Sequence, residues 1–243
     1  MEALKKKPKA SIVRCMELMR NGEVDGVVSA GNTGAVVAAS MLKLGLVSGV
    51  KRPGIAATMP RQDGCITIID VGANINCRPN HLAQYALMAS IYCREVLGIS
   101  GPRVGLLNIG GEHSKGPEVI RETADILRKM SEINFAGHAE GQDIFRPVFD
   151  IVVCDGFVGN VILKLSEGLA HFLLRTFRKR FEVAEETTNG KMKRLWRKVY
   201  THFKKKLARA FLQMRKKIDF EEYGGAPLLG AVSYTHLTLP TKA

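Results

Sequence analysis

The 243 residues are 46% hydrophobic and 24% charged, enough apolar material for one large core or two smaller ones, which excludes a disordered chain. No apolar stretch reaches the roughly 18 residues of a membrane-spanning helix and the amino terminus carries no secretory pattern, so a cytoplasmic globular protein is expected. The formal charge of +13 does not imply nucleic acid, because it is uneven: residues 191–217 hold twelve Lys and Arg and no acid.

In chain order, helical periodicity covers about 10–21, 34–45, 80–96, 117–130 and 160–181. Between these lie strand candidates, near 54–59 and 133–137 and in four β-branched runs that each stop at a glycine-rich polar turn. The runs are VDGVVSAGNTG (24–34), ITIIDVGANINCRPNH (66–81), VGLLNIGGEHSKG (104–116) and DIVVCDGFVGN (150–160). Strands alternating with helices imply βαβ units, an α/β class, and a mainly parallel sheet. Asn32 or Thr33 is expected to cap the helix after the first turn and Asn80 the helix from His81, with Pro117 and Glu118 opening the next.

Ligands of open α/β sheets sit at the carboxyl ends of the strands, so the four turns are expected to converge on one site. In SAGNTGA, Gly31 and Gly34 allow close approach of an anion, with Asn32 and Thr33 beside a helix start. Asp70 ends a buried strand and is followed by Asn74, Asn76 and His81; it serves either the chemistry or the loop, by accepting backbone N–H bonds. The third turn delivers Glu112, His113, Ser114 and Lys115, and the fourth delivers Asp155 and Asn160. Glycine, amides and a lysine suit a phosphate better than a metal, and no cofactor is expected. The five cysteines lack CxxC spacing and read as reduced core residues. With no nucleophile elbow, the reaction that fits is one of positioning and charge stabilisation: attack of phosphate on an activated acyl group, Lys115 holding the phosphate and Asn160 or Lys115 the oxyanion.

After about 182 the style changes. EVAEETTNG reads as a polar linker to a basic amphipathic helix with Leu195, Trp196, Val199, Phe203 and Leu207 on its apolar face. That face suits a membrane interface or, equally, packing on the protein's own domain or a partner subunit. The tail Ser233–Ala243 breaks the preceding pattern and reads as non-native, leaving residues 1–232 as a single domain with a helical protrusion at about 182–218.

Taken together, SAGNTGA, DVGAN with its PNH, GLLNIGGEHSKG, DGFVGNVILKLSEG and YGGAPLLG resemble the phosphate acyltransferases of the PlsX family, from about residue 10 to 231. The resemblance implies a three-layer α/β/α fold like that of isocitrate and isopropylmalate dehydrogenases. It implies a peripheral membrane homodimer that transfers an acyl group from acyl carrier protein to inorganic phosphate for phospholipid synthesis. Lys115 and Asn160 match the positions expected to be catalytic. The family's opening DAMGGD-like turn and closing KAHGSS-like segment have no counterpart here, so the chain is expected to be truncated at both ends. The alternative activity is an isopropylmalate-type dehydrogenase using NAD; the arginine set for a dicarboxylate and the aspartate spacing for a metal are missing. A binding module built on the basic helix ranks third.

Overall fold

The computed structural model describes residues 9–61, 63–112, 114–188, 225–231 and 236–238. It begins with helix α1 (Ser11–Arg20), strand β1 (Val27–Ser29) and helix α2 (Thr33–Lys43). Met16, Met19, Val27, Val36 and Ala39 close a small core of their own between these three elements. Strand β1 stands outside the main sheet and pairs in parallel with a second short strand, His236–Thr238.

The main sheet has six strands. These are β2 (Gly54–Arg61), β3 (Gly64–Ile69), β4 (Arg103–Leu107), β5 (Asn134–Ala139), β6 (Ile151–Val153) and β7 (Leu228–Leu229), in the spatial order β5-β4-β6-β3-β2-β7. The four strands β5, β4, β6 and β3 are mutually parallel, with Ile68 opposite Val152 and Leu106 opposite Val153. Their runs are continuous rather than alternating because helices cover them: every residue of β6 is buried, as are Ile66, Thr67, Ile68 and Ile69 of β3. Strand β2 makes the sheet mainly rather than wholly parallel. It folds back on β3 as an antiparallel hairpin and pairs antiparallel with β7, so the sheet is mixed.

Helix α3 (Pro79–Glu95) lays Leu82, Tyr85, Ala86, Ala89 and Cys93 into the main core, a spacing of three and four that keeps one face inward. Helix α4 (Glu118–Lys129) adds Ala124 and Leu127, the latter fully buried and worth about 1.5–3 kcal/mol of transfer free energy. A short 3-10 turn, Gly141–Phe145, follows β5.

The amino edge of the parallel strands is held by charge. Asp150 accepts from Arg61 Nη2 at 2.8 Å, and from Arg103 Nε at 3.0 Å, Nη2 at 3.1 Å and backbone N at 2.9 Å, while Arg61 also donates to the Phe149 carbonyl. Burial alone would raise the Asp150 carboxyl; the bonds and charge of the two arginines outweigh it and hold it at about 2. Arg103 is pushed up by the same hydrogen bonds.

Helix α5 runs unbroken from Gly156 to Thr188, so the linker expected from residue 182 is helical through Thr188. The chain divides into two compact units, Met1–Leu163 with Tyr223–Ala243, and Lys164–Glu222. In the second, Lys164 pairs with Glu167 at 2.9 Å, and Leu165, Leu169 and Phe172 are exposed. Leu195, Trp196, Val199, Phe203 and Leu207 lie outside the described residues.

Candidate active site

Three of the four turns leave neighbouring parallel strands at the same edge: residues 108–116 after β4, 154–160 after β6 and 70–78 after β3. This is the carboxyl edge, opposite the Asp150 cluster. The first turn, after β1, is held by its own bonds. Gly31 N donates to Ser29 Oγ at 3.2 Å, and Asn32 caps α2 by accepting from Ala35 N at 3.0 Å. Thr33 is the first residue of that helix, and Gly34 sits over the Asn32 cap. This turn follows β1, which pairs with His236–Thr238 rather than with a strand of the main sheet.

Asp70 is fully buried and organises the turn after β3. Its Oδ1 accepts from the N–H groups of Ile55 (3.1 Å), Gly72 (3.1 Å) and Ala73 (2.9 Å), and its Oδ2 from Asn74 N (2.7 Å). Burial pushes the carboxyl up while these four backbone bonds pull it back. Asn74 Nδ2 donates to the Pro53 carbonyl (2.6 Å) and to the buried Tyr85 hydroxyl (2.8 Å). Both side chains thus help to hold the loop that carries them.

His81 also has a partner within its own turn. It is buried in the first turn of α3, where its Nδ1 accepts from Arg78 N at 3.1 Å, so that Arg78 rather than Asn80 is the helix cap. Burial, with Arg52, Arg78 and Lys51 nearby, lowers its pKa, leaving the imidazole neutral. Asp155 ties the second and fourth turns together: its Oδ2 accepts from Cys77 N at 2.8 Å and its Oδ1 from Phe157 N at 2.9 Å.

Two glycines then let α5 start directly over Asp70. A Cβ on Gly156 would stand 2.2 Å from the Asn74 carbonyl oxygen, and one on Gly159 would stand 1.9 Å from that of Asp70. The result places exposed Asn160 over Gly72, whose Cβ position lies 3.6 Å from Asn160 Oδ1.

The third turn is built on Asn108, which is buried. Its Oδ1 accepts from Ile109 N (2.9 Å) and its Nδ2 donates to the Lys115 carbonyl (3.0 Å), closing the loop on itself. Gly116 is required beneath it, at φ 88°, with a Cβ position 1.9 Å from Asn108 Oδ1. Lys115 is half exposed and pairs with Glu112 Oε1 at 2.8 Å, which raises its pKa. His113 lies outside the described residues. Asn108 was open to the reading that singled out Asp70, a polar residue ending a buried run. The thiols near this edge are poor nucleophiles: burial, then the Asp155 charge, pushes Cys77 to about 11, and burial raises Cys154 as well.

Among the described residues of the expected set, Lys115 and Asn160 are exposed at the carboxyl edge, while Asp70, Asn74, His81 and Asp155 bond within the turns. An α/β protein with a mixed sheet, flanking helices and this carboxyl-edge cluster has the phosphotransacetylase fold. A phosphotransacetylase from Streptococcus pyogenes superposes with a TM-score of 0.56 at 20% identity, over 69% of this chain and 57% of that one. One from Staphylococcus aureus gives 0.53 at 18%, over 65% and 55%. More particularly, the chain belongs to the fatty acid synthesis protein family, whose model matches residues 1–238. It is 44% identical over 229 residues to the phosphate acyltransferase of Geobacter sulfurreducens, covering 94% of this chain and 62% of that protein. It is 45% identical over 243 residues to that of Aquifex aeolicus, covering 99% and 68%. The chain thus spans roughly three-fifths to two-thirds of the length of these relatives.

Proposed function

We propose that this chain carries the phosphate site of an acyltransferase that moves a fatty acyl group from acyl carrier protein to inorganic phosphate, giving an acyl phosphate for phospholipid synthesis. The observation that carries the reading is the exposed Lys115 and Asn160 on adjoining turns of the carboxyl edge, over a scaffold of buried polar groups. The names of the curated relatives support it.

A phosphate oxygen attacks the thioester carbonyl carbon. The carbonyl electrons move to oxygen, and collapse of the tetrahedral oxyanion expels the carrier's thiolate, so that one C–O bond replaces one C–S bond. Phosphate is already an anionic nucleophile near neutral pH, its second ionisation falling at about 6 by analogy with phosphate esters, and a thiol of pKa about 8.5 leaves with little protonation. The protein's task is therefore positioning and charge stabilisation. Lys115 Nζ neutralises the phosphate, and the Asn160 amide donates to the oxyanion.

The rest of the reading comprises a homodimer with the three-layer α/β/α arrangement of the isopropylmalate dehydrogenase type, cytoplasmic, docked on the membrane surface through the basic segment at 191–217. No helix among the described residues is long and apolar enough to cross a membrane. A carrier protein of acidic surface would be steered by that basic charge, an encounter that weakens with salt.

The test is phosphate-dependent release of free thiol from an acyl carrier protein thioester, with hydroxylamine trapping the acyl phosphate. Lys115→Ala is expected to lower turnover about 100-fold or more with unchanged unfolding behaviour, as for loss of a preorganised charge at the reacting centre. Wild-type turnover in that variant removes Lys115 from the chemistry.

A further inference from the structure

Lys115 already has an anion. Its Nζ lies 2.8 Å from Glu112 Oε1, at the spot where a phosphate oxygen would form the same charge-assisted bond. The loop is shaped for this pair. Lys115 N donates to the Glu112 carbonyl at 3.1 Å, a single turn that puts the two side chains three residues apart on one side. Gly110 then leaves room for both: a Cβ there would meet Lys115 Cδ at 2.6 Å and Glu112 Oε2 at 3.0 Å. Both partners are more than half exposed, so water competes for each and the pair opens readily.

We infer that the Glu112 carboxylate is a displaceable internal anion, which holds the Lys115 ammonium in place and must give it up when inorganic phosphate binds. This rests on the reading of Lys115 as the cation of the phosphate site. The chemistry is an exchange: Lys115 trades a monovalent carboxylate for a phosphate carrying up to two charges, and Glu112 returns to water. Because Lys115 also holds the Glu112 carboxyl below its usual range, the competitor stays ionised at every pH at which phosphate is a useful nucleophile. A second carboxylate, Glu140 at the end of β5, acts on Lys115 from outside the loop and adds to the repulsion an entering anion meets. Phosphate affinity is therefore set below what an unpaired lysine would give.

Titration of inorganic phosphate into wild type, Glu112→Gln and Lys115→Ala, followed by calorimetry, reads the exchange without any acyl donor. Glu112→Gln keeps the shape and removes the charge. It is expected to tighten phosphate binding about three- to tenfold, the loss of one exposed ion pair and one like-charge repulsion. Unchanged or weaker binding in Glu112→Gln, with Lys115-dependent binding in wild type, overturns this inference and leaves the assignment of Lys115 standing. Wild-type binding that survives Lys115→Ala overturns both.

Discussion

At Asp70 four backbone N–H groups and the Asn74 side-chain amide converge on one buried carboxylate. Asp70→Asn would turn one acceptor into an N–H donor facing other donors, in a fully buried place. The expected loss is about 2–4 kcal/mol in denaturant-midpoint stability, from broken charge-assisted bonds and orphaned amides. A variant as stable as wild type would mean that the turn does not depend on this carboxylate. The same residue marks the limit of reading single residues from sequence. A polar group ending a buried strand was visible, and so were its two possible uses; which one holds depends on Ile55, fifteen residues upstream, bringing its N–H to the carboxylate through the β2–β3 hairpin. His81 shows the same limit. The bond from Arg78 N to its Nδ1, which helps cap the start of α3, is a geometry that no sequence spacing displays.

Helix α5 shows how an element is placed by what its residues lack. Gly159→Ala puts a methyl group 1.9 Å from a backbone oxygen that cannot move without breaking the Asp70 turn, so the helix start must lift away and carry Asn160 with it. A loss of about 2–3 kcal/mol or more is expected, together with most of the turnover, since overpacking against backbone has no soft escape. Gly168, in the same helix, has open space around its Cβ position. Gly168→Ala is expected to gain about 0.5–1 kcal/mol from helix propensity alone. Thermal unfolding of the two variants side by side checks the contrast, and equal effects would mean that the close approach at Gly159 is not tight. Helices and buried strands were legible because periodicity and β-branched runs are local. The antiparallel return of β2 was also marked, by the polar RQDG that breaks the apolar run of ATMPRQDGCITII, but the alternation of strands with helices drew the reading toward parallel crossovers instead.

Across the whole molecule, the charges that fasten the sheet and the groups proposed for chemistry sit at opposite ends of the same strands. Strand β6 carries Asp150 immediately before it and Asp155 just after it, so both ends are pinned, yet by different partners. The pairings that complete the sheet, such as Ile55 with Leu228, join residues more than 170 positions apart and follow no sequence pattern. The Asp150 cluster sets the acid limit. Its carboxyl is depressed to about 2 in the folded protein against about 3.9 in an unfolded chain, so the unfolded state binds the proton first. The cluster's contribution is therefore full above about pH 4–5 and is lost as pH falls toward 2. Asp150→Asn leaves the Arg61 guanidinium, 8% exposed, without its counter-ion, at a cost of about 3 kcal/mol at neutral pH. That variant is expected to show a flatter stability profile below pH 4 and, because the damage is at the amino edge, a phosphate dissociation constant equal to wild type. Urea unfolding from pH 2.5 to 7, with phosphate titration at pH 7, separates the two ends. A variant that unfolds with the wild-type acid profile would show that Asp150 does not govern acid stability, and one that loses phosphate affinity while folded would couple the edges through β6.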